Sequence, residues 1–370
     1  MKDWYQIDHI DEIDSPALVV YPERIRRNIT EVIRMAGGTE KLRPHVKTNK
    51  MVEVCRMMLD AGINKFKCAT IAEAEMLAIA GAPDVLLAYQ PVGPKVRRLL
   101  TIIAKYPQTR FSCLIDNEAN GRFVAYLAQQ ADLVMDIFID LNIGMNRTGI
   151  HPENAFMLVQ KIFKLSHLHI RGLHGYDGHI HDREIISRQH AANRAFEKVY
   201  GVYEKMCSLF EEQLVMVMGG TPTFPVHMHR ANCECSPGTF VFWDWGYKEM
   251  LKDMSFEFAA LLISRVISVI DKNHICIDLG YKSVAAENPL PRVHFLNAPE
   301  AIPTAQSEEH LVLKVPDSSA YALGDVFYGV PVHICPTVAL YDRTYVVEKN
   351  QQPTYWRVMA RDRYIPPSDY

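Results

Sequence analysis

Arg43-Pro44-His45-Val46-Lys47-Thr48-Asn49-Lys50 reads as a short buried strand ending in a lysine at the mouth of a turn, with a helical run over 51–61 behind it. Lys47 has cationic neighbours in Arg43, His45 and Lys50. Nearby positive charge and desolvation both favour a neutral, nucleophilic amine, the form that makes Schiff bases. An ordinary basic segment beside a strand has the same composition, so these eight residues alone give the lysine no role.

The surrounding chain supplies context. Short β-branched runs over 17–20, 42–46, 65–69, 85–89, 110–115, 134–141, 168–176 and 214–218 alternate with amphipathic runs over 22–36, 51–61, 71–80, 94–106, 117–130, 152–165 and 183–212. Thr70 precedes the third helical run with Glu73 three residues on, the spacing of a capping box. A repeated strand–helix rhythm argues for a parallel sheet, and the number of units suits a (β/α)8 TIM-like barrel, with an open doubly wound sheet as the alternative. After about residue 240 the rhythm changes to strands over 259–271, 274–279, 310–315, 325–330 and 336–347, separated by turn residues. The expected organisation is a barrel over 16–240 and a C-terminal β domain over 241–370, joined by residues 1–15.

Composition narrows the partners. The chain has 370 residues and a formal net charge of -3 with both signs interspersed, which points to small metabolites rather than nucleic acid or an anionic membrane. The first residues lack a signal-peptide pattern and no apolar run is long enough to span a bilayer, so a cytoplasmic protein is expected. Eight scattered cysteines suggest reduced thiols rather than a disulfide scaffold.

Four clusters carry chemistry. Asn142-Ile143-Gly144-Met145-Asn146-Arg147-Thr148-Gly149 follows a strand and can present the Arg147 guanidinium to an anionic or phenolate oxygen, or it is a tight turn with a surface arginine. The segment 172–182 crowds His174, His179 and His181 around Tyr176, with Asp177 and Asp182. Three histidines in eight residues suit proton transfer or metal binding. Gly219-Gly220-Thr221 follows another strand, and adjacent glycines let backbone N–H groups converge on a phosphate, although the segment fits neither a Walker A loop nor a Rossmann fingerprint. His333 and Cys335, two apart on an expected strand, can reach one borderline metal ion, with 306–310 as groups that orient them; a core cysteine beside a satisfied histidine is the plain alternative.

In this order, Pro44-His45-Val46-Lys47-Thr48, Gly144-Met145-Asn146-Arg147-Thr148-Gly149, Tyr176-Asp177-Gly178-His179, Gly219-Gly220-Thr221-Pro222-Thr223, Ser307-Glu308-Glu309-His310 and His333-Ile334-Cys335-Pro336-Thr337 resemble the D-threonine aldolase and D-serine dehydratase family of alanine-racemase-like enzymes. The resemblance runs from about residue 14 to about residue 348. It implies a barrel holding pyridoxal 5′-phosphate, with Lys47 as the Schiff-base lysine, Arg147 at the ring oxygen and the Gly219-Gly220-Thr221 backbone at the phosphate. It further implies a divalent metal, zinc or else manganese or magnesium, on His333 and Cys335, and a homodimer with shared active sites. Tyr176, His179 and His181 are the remaining candidates for catalysis, His179 or His181 as the base that takes a hydroxyl proton. The expected activity is a lyase acting on D-3-hydroxy amino acids, closer to the aldolases (glycine plus an aldehyde) than to the dehydratases (an oxo acid plus ammonia). A metal pair speaks against racemization, and a full β domain against a non-catalytic cofactor carrier.

Overall fold

The computed structural model describes residues 3–211, 213–348 and 351–365. The chain opens with β1 (Ala17–Val20) and α1 (Pro22–Ala36), then alternates α2 (Val52–Asp60), β2 (Lys65–Cys68), α3 (Ile71–Ala80), β3 (Asp84–Leu87), α4 (Pro94–Lys105), β4 (Arg110–Ile115), α5 (Glu118–Gln130), β5 (Met135–Leu141), α6 (Pro152–Ile162), β6 (Leu168–Gly175), α7 (Ile185–Cys207), β7 (Val215–Met218), α8 (Phe224–His227) and β8 (Cys233–Cys235). Two compact units emerge. One comprises the described residues of Val32–Lys47, Cys55–Gly238 and 362–365; the other holds those of 3–31, Thr48–Val54 and Thr239–Arg361.

In the first unit β2 to β8 lie side by side in sequence order, all parallel. The gap between β8 and β2 is filled by the segment 41–46. On one side Arg43 N–H donates to Cys235 O (2.8 Å) and His45 N–H to Pro237 O (3.0 Å); on the other Val46 N–H donates to Lys67 O and Lys67 N–H to Pro44 O, both at 2.9 Å. The sheet therefore closes as an eight-stranded barrel. The closing segment forms only isolated bridges, Leu42 with Cys235 and His45 with Lys67, because Pro44 brings no N–H to the ladder. Burial on both faces explains near-continuous apolar strands such as β5, in which all seven residues are buried. Local signals agree: Thr70 Oγ1 accepts from Glu73 N–H (3.1 Å), and α3 ends on Gly81 at φ 92°.

The second unit is built on an antiparallel sheet. Its long strand β9 (Ala260–Asp271) pairs with β10 (His274–Ile277), which continues to the strands Leu311–Lys314 and Ile302–Gln306. β1 pairs antiparallel with β9 and parallel with the strand Arg343–Val346, so it belongs to this sheet and not to the barrel. The division at 16–240 is corrected accordingly: the residues before Glu31 and the short Thr48–Val54 segment belong to the β unit. The run 336–347 is also not one strand, since a short helix, Ile334–Val338, precedes Arg343–Val346. Among the described residues no helix is long and apolar enough to cross a membrane. All eight cysteines are free thiols.

Candidate active site

Three cations converge on one aromatic ring at the carboxyl ends of the barrel strands. Tyr176 follows β6, and its ring centroid lies 5.9 Å from Lys47 Nζ, 5.2 Å from Lys67 Nζ and 5.3 Å from Arg147 Cζ. Glycines make room for that ring. A Cβ on Gly220 would sit 3.3 Å from a ring carbon, and one on Gly178 would collide with the phenol. Lys47 is half-buried and Arg147 is exposed.

Sequence reasoning missed Lys67. The expected cationic neighbour Arg43 is spent elsewhere, with Nη1 2.6 Å from Asp84 and Nε 2.6 Å from Glu234. Lys67, 3% exposed in the middle of β2, takes its place. Its amine is pushed down to about 7, first by burial and next by the charge of Lys47. The usable signal was a lysine between the apolar residues Phe66 and Cys68 of a strand.

Two buried histidine–carboxylate pairs stand beside this cluster. His174 Nδ1 is 2.7 Å from Asp140, and His227 Nε2 is 2.8 Å from Asp177. Burial and the charge of Lys67 lower the His174 pKa and so favour its neutral form, while its Nε2 is buried without a hydrogen-bond partner. Burial would raise Asp177, yet the hydrogen bond from His227 and the Gly220 amide hold it below the ordinary carboxylate range.

The Gly219-Gly220-Thr221 loop is buried and tied to the segment after β8: Ser236 N–H donates to Gly219 O (2.8 Å) and Gly238 N–H to Thr221 Oγ1 (3.2 Å). Gly220 N–H points at Asp177 Oδ1 (3.4 Å), so that amide is engaged inside the protein. Ser236 Oγ is buried without a partner. The histidine cluster separates in space. His174 faces Asp140, His179 lies over Gly144, where a Cβ would come within 2.8 Å of Nε2 at φ +135°, and His181 is exposed.

In the β unit, His333 is the residue before the helix Ile334–Val338, so His333 and Cys335 do not lie on a strand. The turn is held by Asp244, whose carboxylate accepts from Ile334 N–H (3.1 Å) and Tyr247 N–H (2.9 Å) and is raised to about 6 by burial. The imidazole and thiol still meet. Burial opposes charge on His333, but hydrogen bonds with Cys335 and Glu287 push it up to about 9. Glu287 lies 2.5 Å from His333 Nδ1 and does the orienting role expected of 306–310. In that segment Glu308 and Glu309 pair with Lys282, and Gln306 with Arg292. Cys335 Sγ lies 3.1 Å from Thr48 Oγ1 and 3.6 Å from Thr239 Oγ1. No group of three or more possible ligands occurs among the described residues. One imidazole with its Nδ1 on a carboxylate and one adjacent thiol fit an ion that keeps open positions, not a closed structural site.

Against known proteins, the family "Alanine racemase, N-terminal domain" matches residues 20–244. The chain belongs to this family. The "Putative serine dehydratase domain" matches residues 259–347. This alanine-racemase-like chain is 26% identical over 362 residues to a D-threonine aldolase of Arthrobacter sp, covering 96% of this chain and 94% of that one. It is 25% identical over 370 residues to a 3-hydroxy-D-aspartate aldolase of Paracoccus denitrificans (strain Pd 1222), covering 95% and 93%. The crystal structure of D-threonine aldolase from Filomicrobium marinum superposes with a TM-score of 0.87 at 25% identity, covering 95% of this chain and 96% of that one.

Proposed function

We propose that this protein is a pyridoxal-phosphate-dependent lyase that cleaves D-3-hydroxy amino acids in the manner of a D-threonine aldolase, aided by a divalent metal. The observation that carries the reading is the set of cations around Tyr176 with no carboxylate partner among the described residues, beside the unpartnered buried atoms of His174 and Ser236. Such a set of charges suits a planar, multiply anionic ligand.

In this reading the Lys47 amine holds the cofactor covalently, Arg147 meets its ring oxygen, and the Gly219–Thr221 loop with Ser236 receives its phosphate. His333 through Nε2 and Cys335 through Sγ hold the metal. When bound, the cofactor draws electrons from the substrate α-carbon and the metal polarises the β-hydroxyl. His179, exposed and without a carboxylate partner among the described residues, takes the hydroxyl proton in an aldol cleavage. Tyr176 supplies the aromatic wall that fixes the distance between the three cations. The protein is proposed to work as a homodimer, with a solution mass twice that of one chain.

Product analysis with D-threonine tests the reaction. Glycine and acetaldehyde are expected; an oxo acid and ammonia would replace the aldolase with a dehydratase. That second reading has its own support in the dehydratase-domain match over 259–347.

A further inference from the structure

Lys67 is a desolvated cation that the fold does not neutralise. Its backbone is fixed in the barrel wall by Val46 N–H to Lys67 O and Lys67 N–H to Pro44 O, so the side chain starts from a rigid position. It is 3% exposed, and its ammonium has no hydrogen-bond or ion-pair partner among the described residues. The charged groups that act on it most are Lys47 and Arg43, of the same sign, and Asp140 and Asp177. Each of those carboxylates is already engaged by a histidine, at 2.7 and 2.8 Å. Arg43, equally buried, shows what this barrel does with a cation that only stabilises: it receives two carboxylates. Burying an ammonium without a partner is costly unless something anionic arrives to meet it.

The place of Lys67 limits what that anion can be. Its Nζ and that of Lys47 lie 5.2 and 5.9 Å from the centroid of the same Tyr176 ring, and the charge of Lys47 acts on Lys67, so both amines border the space around that ring. In pyridoxal the phenolic oxygen stands on the ring carbon next to the one bearing the aldehyde, whereas the phosphate is carried away on a methylene. We propose that Lys67 is a cofactor-binding residue whose ammonium would donate a hydrogen bond to the anionic ring oxygen of pyridoxal phosphate. The inference rests on the cofactor assignment proposed above. The depressed basicity of the amine fits it, because a group held near neutrality by its surroundings gains most when an anion restores its charge.

Binding titrations of the purified apoprotein test it, using pyridoxal phosphate and its 3-deoxy analogue, which keeps the aldehyde and phosphate but lacks the ring oxygen. Lys67→Met should weaken pyridoxal phosphate by roughly ten- to a hundredfold, the size of a charge-assisted hydrogen bond, and leave the 3-deoxy analogue nearly unaffected. Its apo form should melt no lower than the wild type, because an unpaired buried charge has been removed. Lys67→Gln, which retains an N–H donor, should fall between the two and serves if the methionine variant does not fold. Unchanged affinity for pyridoxal phosphate would overturn the proposal, as would an equal loss for both ligands, which would assign Lys67 to the phosphate or to pocket shape. Wild-type protein that binds neither ligand would remove the cofactor reading itself, and this inference with it.

Discussion

Around the amino ends of the barrel strands, Arg43 is held by Asp84 and Glu234, Lys65 by Glu234, Arg171 by Asp84 and Arg110 by Asp136, whereas at the carboxyl ends Lys47, Lys67 and Arg147 share one tyrosine ring and have no carboxylate of their own among the described residues. Each region buries a cation, Arg43 at one end and Lys67 at the other, so desolvation does not separate them. Partnering does. The paired end fixes strand positions and needs nothing further, while the unpaired end is left with positive potential that only a ligand can neutralise.

The largest expected effect comes from removing the attachment point at the unpaired end. Lys47→Ala should abolish turnover and the yellow colour expected of the cofactor-loaded protein, and borohydride should fix the cofactor to the wild-type peptide that contains Lys47. A label on Lys67 would exchange the roles of the two lysines and redraw the comparison. Next in size is loss of the metal: chelation should abolish turnover while the colour remains, since His333 and Cys335 belong to the other compact unit. Full turnover in protein shown metal-free by elemental analysis would take the metal out of the reaction.

At the paired end the expected effects are on stability. Arg43→Met leaves Asp84 and Glu234 without their buried partner and should cost about 3–5 kcal/mol, read as a lowered denaturation midpoint. Wild-type affinity for pyridoxal phosphate in the molecules that remain folded would keep the two ends distinct. The smallest effect is on acid stability. Burial would raise Asp84, but Arg43 and Arg171 bring it down to about 2 from an ordinary 3.8. A carboxyl depressed in the folded state contributes stability that is complete above its ordinary value and is lost as pH falls toward 2, here about 2 kcal/mol. Asp84→Asn should flatten that part of the acid unfolding curve; an unchanged curve would assign the acid sensitivity to other carboxylates.

What the sequence made legible was whatever depends on neighbours along the chain. The strand–helix alternation, the capped α3, the change of rhythm near residue 240 and Lys47 at a strand end all follow from local pattern. β1 was assigned to the wrong sheet because four buried residues, Ala17–Val20, look the same in either, and its partners lie some 240 and 325 residues away at Ala260–Ile263 and Tyr345–Val346. The segment from Ile334 was read as a strand because Ile334 and Val338 suit one; the helix starts instead because a distant carboxylate, Asp244, takes the Ile334 N–H, and Pro336 is tolerated in a first turn. Glu287 was missed for the same reason, since it gains its meaning from His333, which only folding brings near.

Pro44 also acts as an index mark. Along the closing segment, Arg43 and His45 send their N–H groups toward β8, so the proline, between them, turns its missing donor toward half-exposed Lys65 at the start of β2. Slide the segment by one residue and Pro44 would occupy a rung now used to reach the buried carbonyl of Cys235 or Pro237, leaving that oxygen unmet at a cost of about 1–3 kcal/mol. The same slip would turn every side chain of the segment to the opposite face, Lys47 included. A residue with no side-chain chemistry of its own thus decides which way the Lys47 amine looks.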